Sequence, residues 1–346
     1  MLIAAVVTAA ACSGGSEPAG GRSSSPGPVR LIAAAGLRSI LGGERARSRK
    51  NPPTSTTTAT TTTLPSAPFD VAQTRMTFTD PTRGSPARGG APAQSSRTLP
   101  TTIYYPTQTA PTPEVPTPPP APGAYPLIVF AHGFAIDAAA YATLLHDLAV
   151  GGFVVAAPDF PGTSTATPGA ANRADTLQQP GDLSFVITSM LQVSAGPGLL
   201  HGTIDPNAVG DSGQSDGGVT ALAAGWNTCC IDARIKAGVI LTGGAFGFEG
   251  QWFPPGSPPV MFVHATADEV NPYSASTSMF QQAQSPKYLL TIDGGSHIEV
   301  YVDPPWEPQV AQAMIAFFDQ YLKHDPTAAG RLQAVGSQPG YTLQAG

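Results

Sequence analysis

The sequence predicts an α/β domain: a doubly wound, mostly parallel eight-stranded sheet with helices on both faces and no lid domain. Short apolar runs that suit buried strands alternate with segments that have helical apolar spacing. The first two strands are joined without a helix, which is typical of an antiparallel edge on a parallel sheet. Polar residues follow several of the later strands, and parallel strands present such residues at one common edge of the sheet.

The apolar pattern sets the order of these elements along the chain. The predicted strands span residues 76–78, 97–105, 127–131, 153–157, 208–210, 237–242, 260–264 and 288–292. The predicted helices span residues 138–150, 184–193, 218–226, 274–284 and 308–323. Residues 107–126 are rich in proline and predict a rigid exposed loop between the second and third strands.

Residues 1–66 differ in composition from the rest of the 346-residue chain. Residues 1–12 form an apolar run of signal-peptide size that ends in small residues and Cys12, a pattern similar to a bacterial lipobox. Residues 13–66 are rich in Ser, Thr, Gly and Pro and predict a disordered linker. We therefore expect a secreted or extracytoplasmic protein whose catalytic domain is residues 67–346, anchored to the bacterial membrane through lipid on Cys12; plain secretion is the alternative.

The charge, cysteine and histidine content of the chain restricts the binding partners, disulfides and cofactors that it can have. Residues 67–346 contain 10 basic and 21 acidic residues, a net charge of −11, which argues against nucleic acid. Only Cys229 and Cys230 follow Cys12, so a disulfide scaffold is excluded, and the neighbouring pair forms either a vicinal disulfide or two thiols. Histidines occur singly, without metal-ligand spacing. We expect no metal, no organic cofactor and a monomer.

A Gly-x-Ser-x-Gly motif at 213–217 carries the first candidate catalytic residue. It follows a strand-like segment and precedes a helix-like one, the context that a nucleophile elbow requires. The glycines allow the sharp turn that exposes the hydroxyl of Ser215. Ser212, in a Gly-Asp-Ser-Gly string similar to that of trypsin-like proteases, is the weaker alternative, because that fold needs an all-β chain.

Two later strands end in the partners that a serine nucleophile needs. Asp268 comes first after strand 260–264, and His297 follows strand 288–292 after a Gly-Gly turn. A serine hydroxyl is a poor nucleophile at neutral pH, so His297 is predicted to take its proton and Asp268 to orient the imidazole. Glu269 and Asp293 are alternatives to Asp268.

The backbone amides of Phe134 and Asp216 are predicted to form an oxyanion hole, one after an early strand and one after the nucleophile. His132, in the same early loop, is interpreted as a packing residue. The connection 243–258 is too short for a helical lid, so we expect an open cleft. Aromatic residues on loops at this end are predicted to line an apolar acyl groove: Phe134, Phe160, Phe246, Phe248, Trp252 and Tyr273.

From about Phe69 to Leu322 the chain resembles secreted bacterial α/β-hydrolases of the group that contains platelet-activating-factor acetylhydrolase-like, chlorophyllase-like and cutinase-like polyester-hydrolase enzymes. The residues that carry the resemblance are 79–83, 97–106, His132-Gly-Phe134, 213–218, 268–273 and 295–297. The chain order Ser, Asp, His is that of α/β-hydrolases and differs from the orders in chymotrypsin-like and subtilisin-like proteases. Gln214 departs from the histidine that is common before the serine, and 243–247 lacks the Pro-Trp pair frequent in polyester hydrolases.

The resemblance implies a serine carboxylic-ester hydrolase that forms an acyl-enzyme on short-to-medium acyl esters. A polyester (PET) or cutinase-like hydrolase and a lipid-acetyl hydrolase are the alternatives within the same chemistry, so the expected partner is a small-molecule or polymeric ester. A surface-tethered binding module on an inactive hydrolase scaffold is the alternative from another class.

Overall fold

A computed structural model describes residues 68–346 of the chain. The predicted signal peptide, the predicted lipid-attachment site at Cys12 and the predicted linker lie outside the described residues. In the described part, every helix is too short or too polar to cross a bilayer.

One mixed sheet of nine strands organises the described domain, in the order β1-β2-β4-β3-β5-β6-β7-β8-β9. Strands β3 to β8 are mutually parallel, whereas β1, β2 and β9 add antiparallel pairings at the two edges. The strands are β1 (Asp70–Asp80), β2 (Arg97–Thr107), β3 (Tyr125–Ala131), β4 (Val154–Pro158), β5 (Ile204–Gln214), β6 (Ile235–Leu241), β7 (Val260–Ala265), β8 (Lys287–Ile292) and β9 (Tyr341–Ala345).

The predicted count of eight strands is wrong by one, because β9 escapes the sequence pattern. This edge strand pairs antiparallel with β8, and none of its five residues is buried. An edge strand that is exposed along its length needs no alternation of apolar and polar residues, so the local sequence does not predict it. β5 is likewise longer than its predicted three residues, since turn-forming Asp205, Pro206 and Asn207 lie inside it.

Helices cover both faces of the sheet, as predicted. α1 (Ala142–Val150), α5 (Glu299–Val302), α6 (Glu307–Leu322) and α7 (Ala328–Val335) pack in one apolar core. α2 (Gln179–Ala195), α3 (Asp216–Trp226) and α4 (Ser274–Gln282) pack in the other. Successive residues of β7 alternate between these cores, because side chains of a strand point to opposite faces. α5 and α7 were not predicted: α5 has four residues, and α7 contains an internal glycine.

A buried ion network fixes the loop that precedes α2. The guanidinium of Arg97 in β2 donates to Asp175 at 2.8 and 2.9 Å and to Asp182 at 2.8 and 2.5 Å. Arg83 lies 2.8 Å from Asp182 on the solvent side, and Asp175 also accepts the Gly162 amide at 3.1 Å. The motif residues near 79–83 and 97 thus hold two loops at the carboxyl edge of the sheet.

The buried carboxyl of Asp211 in β5 provides a test of packing under α3. Neither of its oxygens has a hydrogen-bond partner on another of the described residues. Burial raises the pKa of Asp211 well above its ordinary value, and the charge of Asp232 adds to the rise.

We therefore expect Asp211→Asn to unfold at higher denaturant concentration than the wild type at about pH 8, by about 1–3 kcal/mol in unfolding free energy. Because the folded-state pKa is raised, the wild type keeps its stability below about pH 4 and loses it as the pH rises through the folded value. The two proteins should accordingly converge in acid. Urea titrations of both proteins from about pH 4 to about pH 8 measure their unfolding free energies. A difference in unfolding free energy that stays constant with pH would contradict the expectation.

Candidate active site

The turn between β5 and α3 holds Ser215 at the carboxyl edge of the sheet. Ser215 has φ 56° and ψ −123°, a backbone conformation that residues other than glycine rarely adopt. A Cβ on Gly213 would lie 2.2 Å from the Gly217 carbonyl oxygen, and one on Gly217 would lie 2.1 Å from that of Ala131. Both glycines are therefore required for the chain to turn here.

His297 lies between Ser215 and Asp268. Its Nε2 is 2.9 Å from Ser215 Oγ, and its Nδ1 is 2.8 Å from Asp268 Oδ2. Since a carboxylate only accepts hydrogen bonds, Nδ1 carries the proton and Nε2 accepts from the serine hydroxyl. The residues follow β5, β7 and β8, whose parallel carboxyl ends bring together side chains that are 82 and 29 positions apart.

Asp268 is held as a carboxylate. Its side chain is only 1% exposed, and burial alone raises the pKa of a carboxyl group. Hydrogen bonds from Thr242 and His297 and from the amides of Asn271 and Val270 outweigh burial and lower the pKa of Asp268 below its ordinary value.

Thr242 and His264 support the acid from inside the sheet. Thr242 Oγ1 donates to Asp268 Oδ2 at 2.5 Å. His264 Nε2 lies 2.9 Å from Thr242 Oγ1 and 3.2 Å from Asp268 Oδ2, and Ser276 Oγ lies 2.7 Å from the other ring nitrogen. Burial lowers the pKa of His264, which favours a neutral ring that donates through Nε2. Neither role is predicted from the sequence; the only signal there is the place of His264 in an apolar strand, four residues before Asp268.

Two backbone amides in the turns around the serine have no acceptor within the part of the chain that the structure describes. The N–H groups of Phe134 and Asp216 make no hydrogen bond to any residue in 68–346. Asp216 is the first residue of α3, where the helix dipole favours negative charge. A Cβ on Gly217 would lie 2.5 Å from the His132 carbonyl oxygen, so the loop of Phe134 lies against this turn. These amides can stabilise an anion that forms beside Ser215.

The chlorophyllase family matches residues 94–241 of the chain. The match runs from just before β2 to the end of β6 and includes the Phe134 loop and the Ser215 turn. The chain has the α/β-hydrolase fold and is similar to chlorophyllases over these residues. The fold class and the group predicted from the sequence are confirmed, and at this coarse level the protein is an ester hydrolase.

Gln214 connects two loops of the hydrolase site. Its Nε2 donates to the His297 carbonyl oxygen at 3.0 Å, and its Oε1 accepts from the Tyr141 hydroxyl at 2.8 Å. The Tyr141 oxygen in turn accepts the Gly133 amide at 3.3 Å. An amide donates and accepts at every pH, so the residue that departs from the family pattern ties the His297 loop to the Phe134 loop.

His132 braces the same loop. One ring nitrogen lies 2.8 Å from the Gly133 carbonyl oxygen, and Nε2 accepts the Phe160 amide at 3.0 Å. Both nitrogens are therefore occupied by backbone groups, which agrees with a packing role for this histidine.

The alternatives to Ser215 and Asp268 lie elsewhere. Ser212 is buried inside β5 and donates to the Val239 carbonyl oxygen at 2.7 Å. Glu269 accepts the backbone amide of His297 at 3.1 Å, whereas both ring nitrogens of His297 are bonded to Asp268 and Ser215. Asp293 accepts from Thr266 at 3.3 Å.

Some of the predicted groove aromatics do not face a cleft. Phe160 is fully buried, its ring centroid 4.9 Å from that of His132, so it has no surface for substrate. Tyr273 packs on His264 with ring centroids 5.6 Å apart, and its hydroxyl lies 2.6 Å from Thr291 Oγ1 of β8. Phe160 belongs to the core beneath the loops and the partly buried Tyr273 packs against that core, because loop aromatics at a sheet end pack inward as readily as outward.

The prediction for Trp252 is wrong for a topological reason. The connection 243–258 starts beside Gly218, at the beginning of α3, but Trp252 pairs with Asn227, just beyond its end. The 11 residues of α3 span about 16 Å, so Trp252 lies far from Ser215. The chain must return to the amino edge of the sheet before β7 can start, so Trp252 and Phe248, whose rings meet edge to face, lie along this return.

Two predicted aromatics remain at the catalytic edge. Phe246 lies five residues after β6 and is 57% exposed. Phe134 is half-buried beneath the guanidinium of Arg173, whose central carbon lies 4.7 Å from the ring centroid. Arg173 was not singled out from the sequence, because an isolated arginine in a loop carries no motif.

Proposed function

We propose that the chain is a serine carboxylic-ester hydrolase that acts through an acyl-enzyme. The observation that carries the proposal is the continuous hydrogen-bonded series from Ser215 through His297 to the buried Asp268 carboxylate. No step of this chemistry needs a metal or an organic cofactor.

The first half-reaction transfers the acyl group to the enzyme. As Ser215 Oγ attacks the ester carbonyl carbon, its proton passes to His297 Nε2. The Asp268 carboxylate stabilises the imidazolium, and the amides of Phe134 and Asp216 stabilise the carbonyl oxygen as it becomes negative. His297 then protonates the leaving alcohol, and the acyl group stays on Ser215.

The second half-reaction repeats these steps with water. His297 removes a proton from the water that attacks the acyl carbonyl, then returns the proton to Ser215 Oγ as the acid leaves. The Gln214–Tyr141 connection supports both halves, because it keeps His297 in register with the Phe134 amide while the bonds rearrange.

The short β6–β7 connection supports a preformed, open cleft. Residues 243–258 form no helix, and their only strand-like pairing is the isolated bridge of Trp252 with Asn227. Most of their length lies along α3, away from Ser215. Phe246 and Phe134 offer a small apolar surface, so the first several methylenes of an acyl chain can be desolvated, each worth about 0.8 kcal/mol when fully buried. Short-to-medium acyl esters are the substrates that fit.

We expect dissolved para-nitrophenyl esters to be hydrolysed with a hyperbolic dependence on concentration. An open cleft has no closed state for an interface to shift, so rates should pass smoothly through the solubility limit. The value of kcat/KM should rise over the first few methylenes and then fall for long chains. A sharp increase in rate only above the solubility limit would contradict the open cleft.

A further inference from the structure

Arg173 contacts both residues whose amides flank Ser215. Its Nε lies 3.0 Å from Asp216 Oδ2, and its guanidinium lies over the ring of Phe134 at 4.7 Å. The side chain is nevertheless 67% exposed. A fixed positive charge therefore sits at the mouth of the site, beside the residue that directly follows the nucleophile.

The backbone beneath Arg173 is firmly held. Arg173 begins a short 3-10 helix, 173–178, whose preceding residue Asn172 caps the Ala174 amide through its side chain at 3.1 Å. The Asn172 amide donates to the Gly162 carbonyl oxygen at 2.8 Å. Two residues beyond Arg173, the Asp175 carboxylate accepts two hydrogen bonds from the buried guanidinium of Arg97. The guanidinium is thus presented from a rigid base, with Nε and one face already in use.

The outer edge of this guanidinium is free. Among the seven arginines in residues 68–346, Arg173 alone has no hydrogen bond or ion pair from either Nη group. Free Nη groups side by side match the two oxygens of a carboxylate. The domain around it has a net charge of −11, so a general attraction for anions is absent and a preference for an anion must be local.

We propose that Arg173 is a carboxylate subsite, and that the enzyme takes esters whose acyl or alcohol part carries a carboxylate. This inference rests on the proposed function and adds the substrate class. The carboxylate binds the two Nη groups end-on, while Asp216 and Phe134 keep the guanidinium next to the scissile carbonyl. Binding of the remote charge thereby orients the ester bond over Ser215.

The test compares charged esters with neutral esters of matched size. For the acyl side, the mono-para-nitrophenyl esters of succinic and glutaric acid are paired with para-nitrophenyl butyrate and valerate. For the alcohol side, para-acetoxybenzoate is paired with its methyl ester. We expect Arg173→Gln to lower the charged-to-neutral ratio of kcat/KM about tenfold or more for at least one pair, mainly through KM, as expected for a lost charge-assisted hydrogen bond.

Two further variants separate recognition from general charge effects. Arg173→Lys should retain part of the charged-to-neutral ratio of kcat/KM, since it keeps the positive charge but loses the two parallel Nη donors. Lys236→Gln, at the opposite edge of the sheet, changes the net charge equally and should leave the ratio unchanged. Raising the salt from about 0.05 M to about 0.5 M should reduce the ratio in the wild type but not in Arg173→Gln.

An equal loss for charged and neutral esters in Arg173→Gln would overturn the subsite and make Arg173 a positioning residue. Unchanged ratios in all pairs would also overturn it. The proposed function fails separately, when the wild type hydrolyses neither ester of any pair.

Discussion

Replacing Ser215 by alanine is expected to lower ester hydrolysis by about three to six orders of magnitude, because no other group can form the covalent acyl intermediate. His297→Ala should be as damaging, since it removes the acceptor that lies 2.9 Å from Ser215 Oγ. Steady-state rates on a dissolved para-nitrophenyl ester, with circular dichroism to show an intact fold, measure the effect.

The matched control is Ser212→Ala, in β5 and three residues before Ser215. Its hydroxyl donates to a sheet carbonyl and does not reach the site, so activity should stay within about tenfold of the wild type. If Ser212→Ala were inactive and Ser215→Ala active, Ser212 and not Ser215 would be the nucleophile.

The acid can be assigned with a second pair of variants. Asp268→Asn should lose somewhat less activity than Ser215→Ala, because His297 loses its orienting carboxylate but the nucleophile remains. Glu269→Gln should lose little, since Glu269 is hydrogen-bonded to the His297 backbone amide and not to the ring nitrogens. Full activity in Asp268→Asn and loss in Glu269→Gln would transfer the role to Glu269.

Arg97→Met is expected to have the largest effect on stability, about 3–5 kcal/mol in unfolding free energy, because it removes the buried guanidinium that joins the carboxylates of Asp175 and Asp182 and leaves only Arg83 beside Asp182. The Arg97 side chain and those of Asp175 and Asp182 are at most 1% exposed. Urea unfolding of the two proteins measures the difference.

The pH dependence of this loss follows from the sign of the pKa shift. Burial already raises the pKa of Asp182, even with Arg97 in place. Without Arg97 the folded-state pKa of Asp182 should rise further, so the variant keeps its stability below about pH 4 and loses it as the pH rises. The control, Arg75→Met, removes an arginine that is 59% exposed and should cost about 1 kcal/mol or less. Equal losses in the two variants would contradict a structural role for the buried network.

The sequence predicted the fold because its signals are local. Apolar strands, helical spacing and the glycines around Ser215 are readable in short windows, and parallel topology then places residues 215, 268 and 297 at one edge. β9 escaped because an exposed edge strand leaves no apolar pattern. The position of Trp252 is not predictable from the sequence, because nothing local indicates that its loop returns along α3 instead of staying at the catalytic edge.

The supporting residues could not be predicted, because their roles depend on contacts between separate strands and loops. Thr242 and His264 meet Asp268 only once β6 and β7 are paired, and Gln214 reaches Tyr141 across 73 positions. The sequence also left the state of Cys229 and Cys230 open. The structure joins them in a vicinal disulfide, outside the catalytic edge and next to the strand-like pairing of Asn227 with Trp252.

Covalent labelling tests the central claim most directly. The full chain is incubated with a fluorophosphonate, which forms a stable adduct only with an activated serine, and the labelled peptide is identified by mass spectrometry. We expect one adduct per chain, on Ser215, with labelling abolished in Ser215→Ala and strongly slowed in His297→Ala. An unlabelled wild-type chain, or an adduct on any other serine, would contradict a catalytic Ser215.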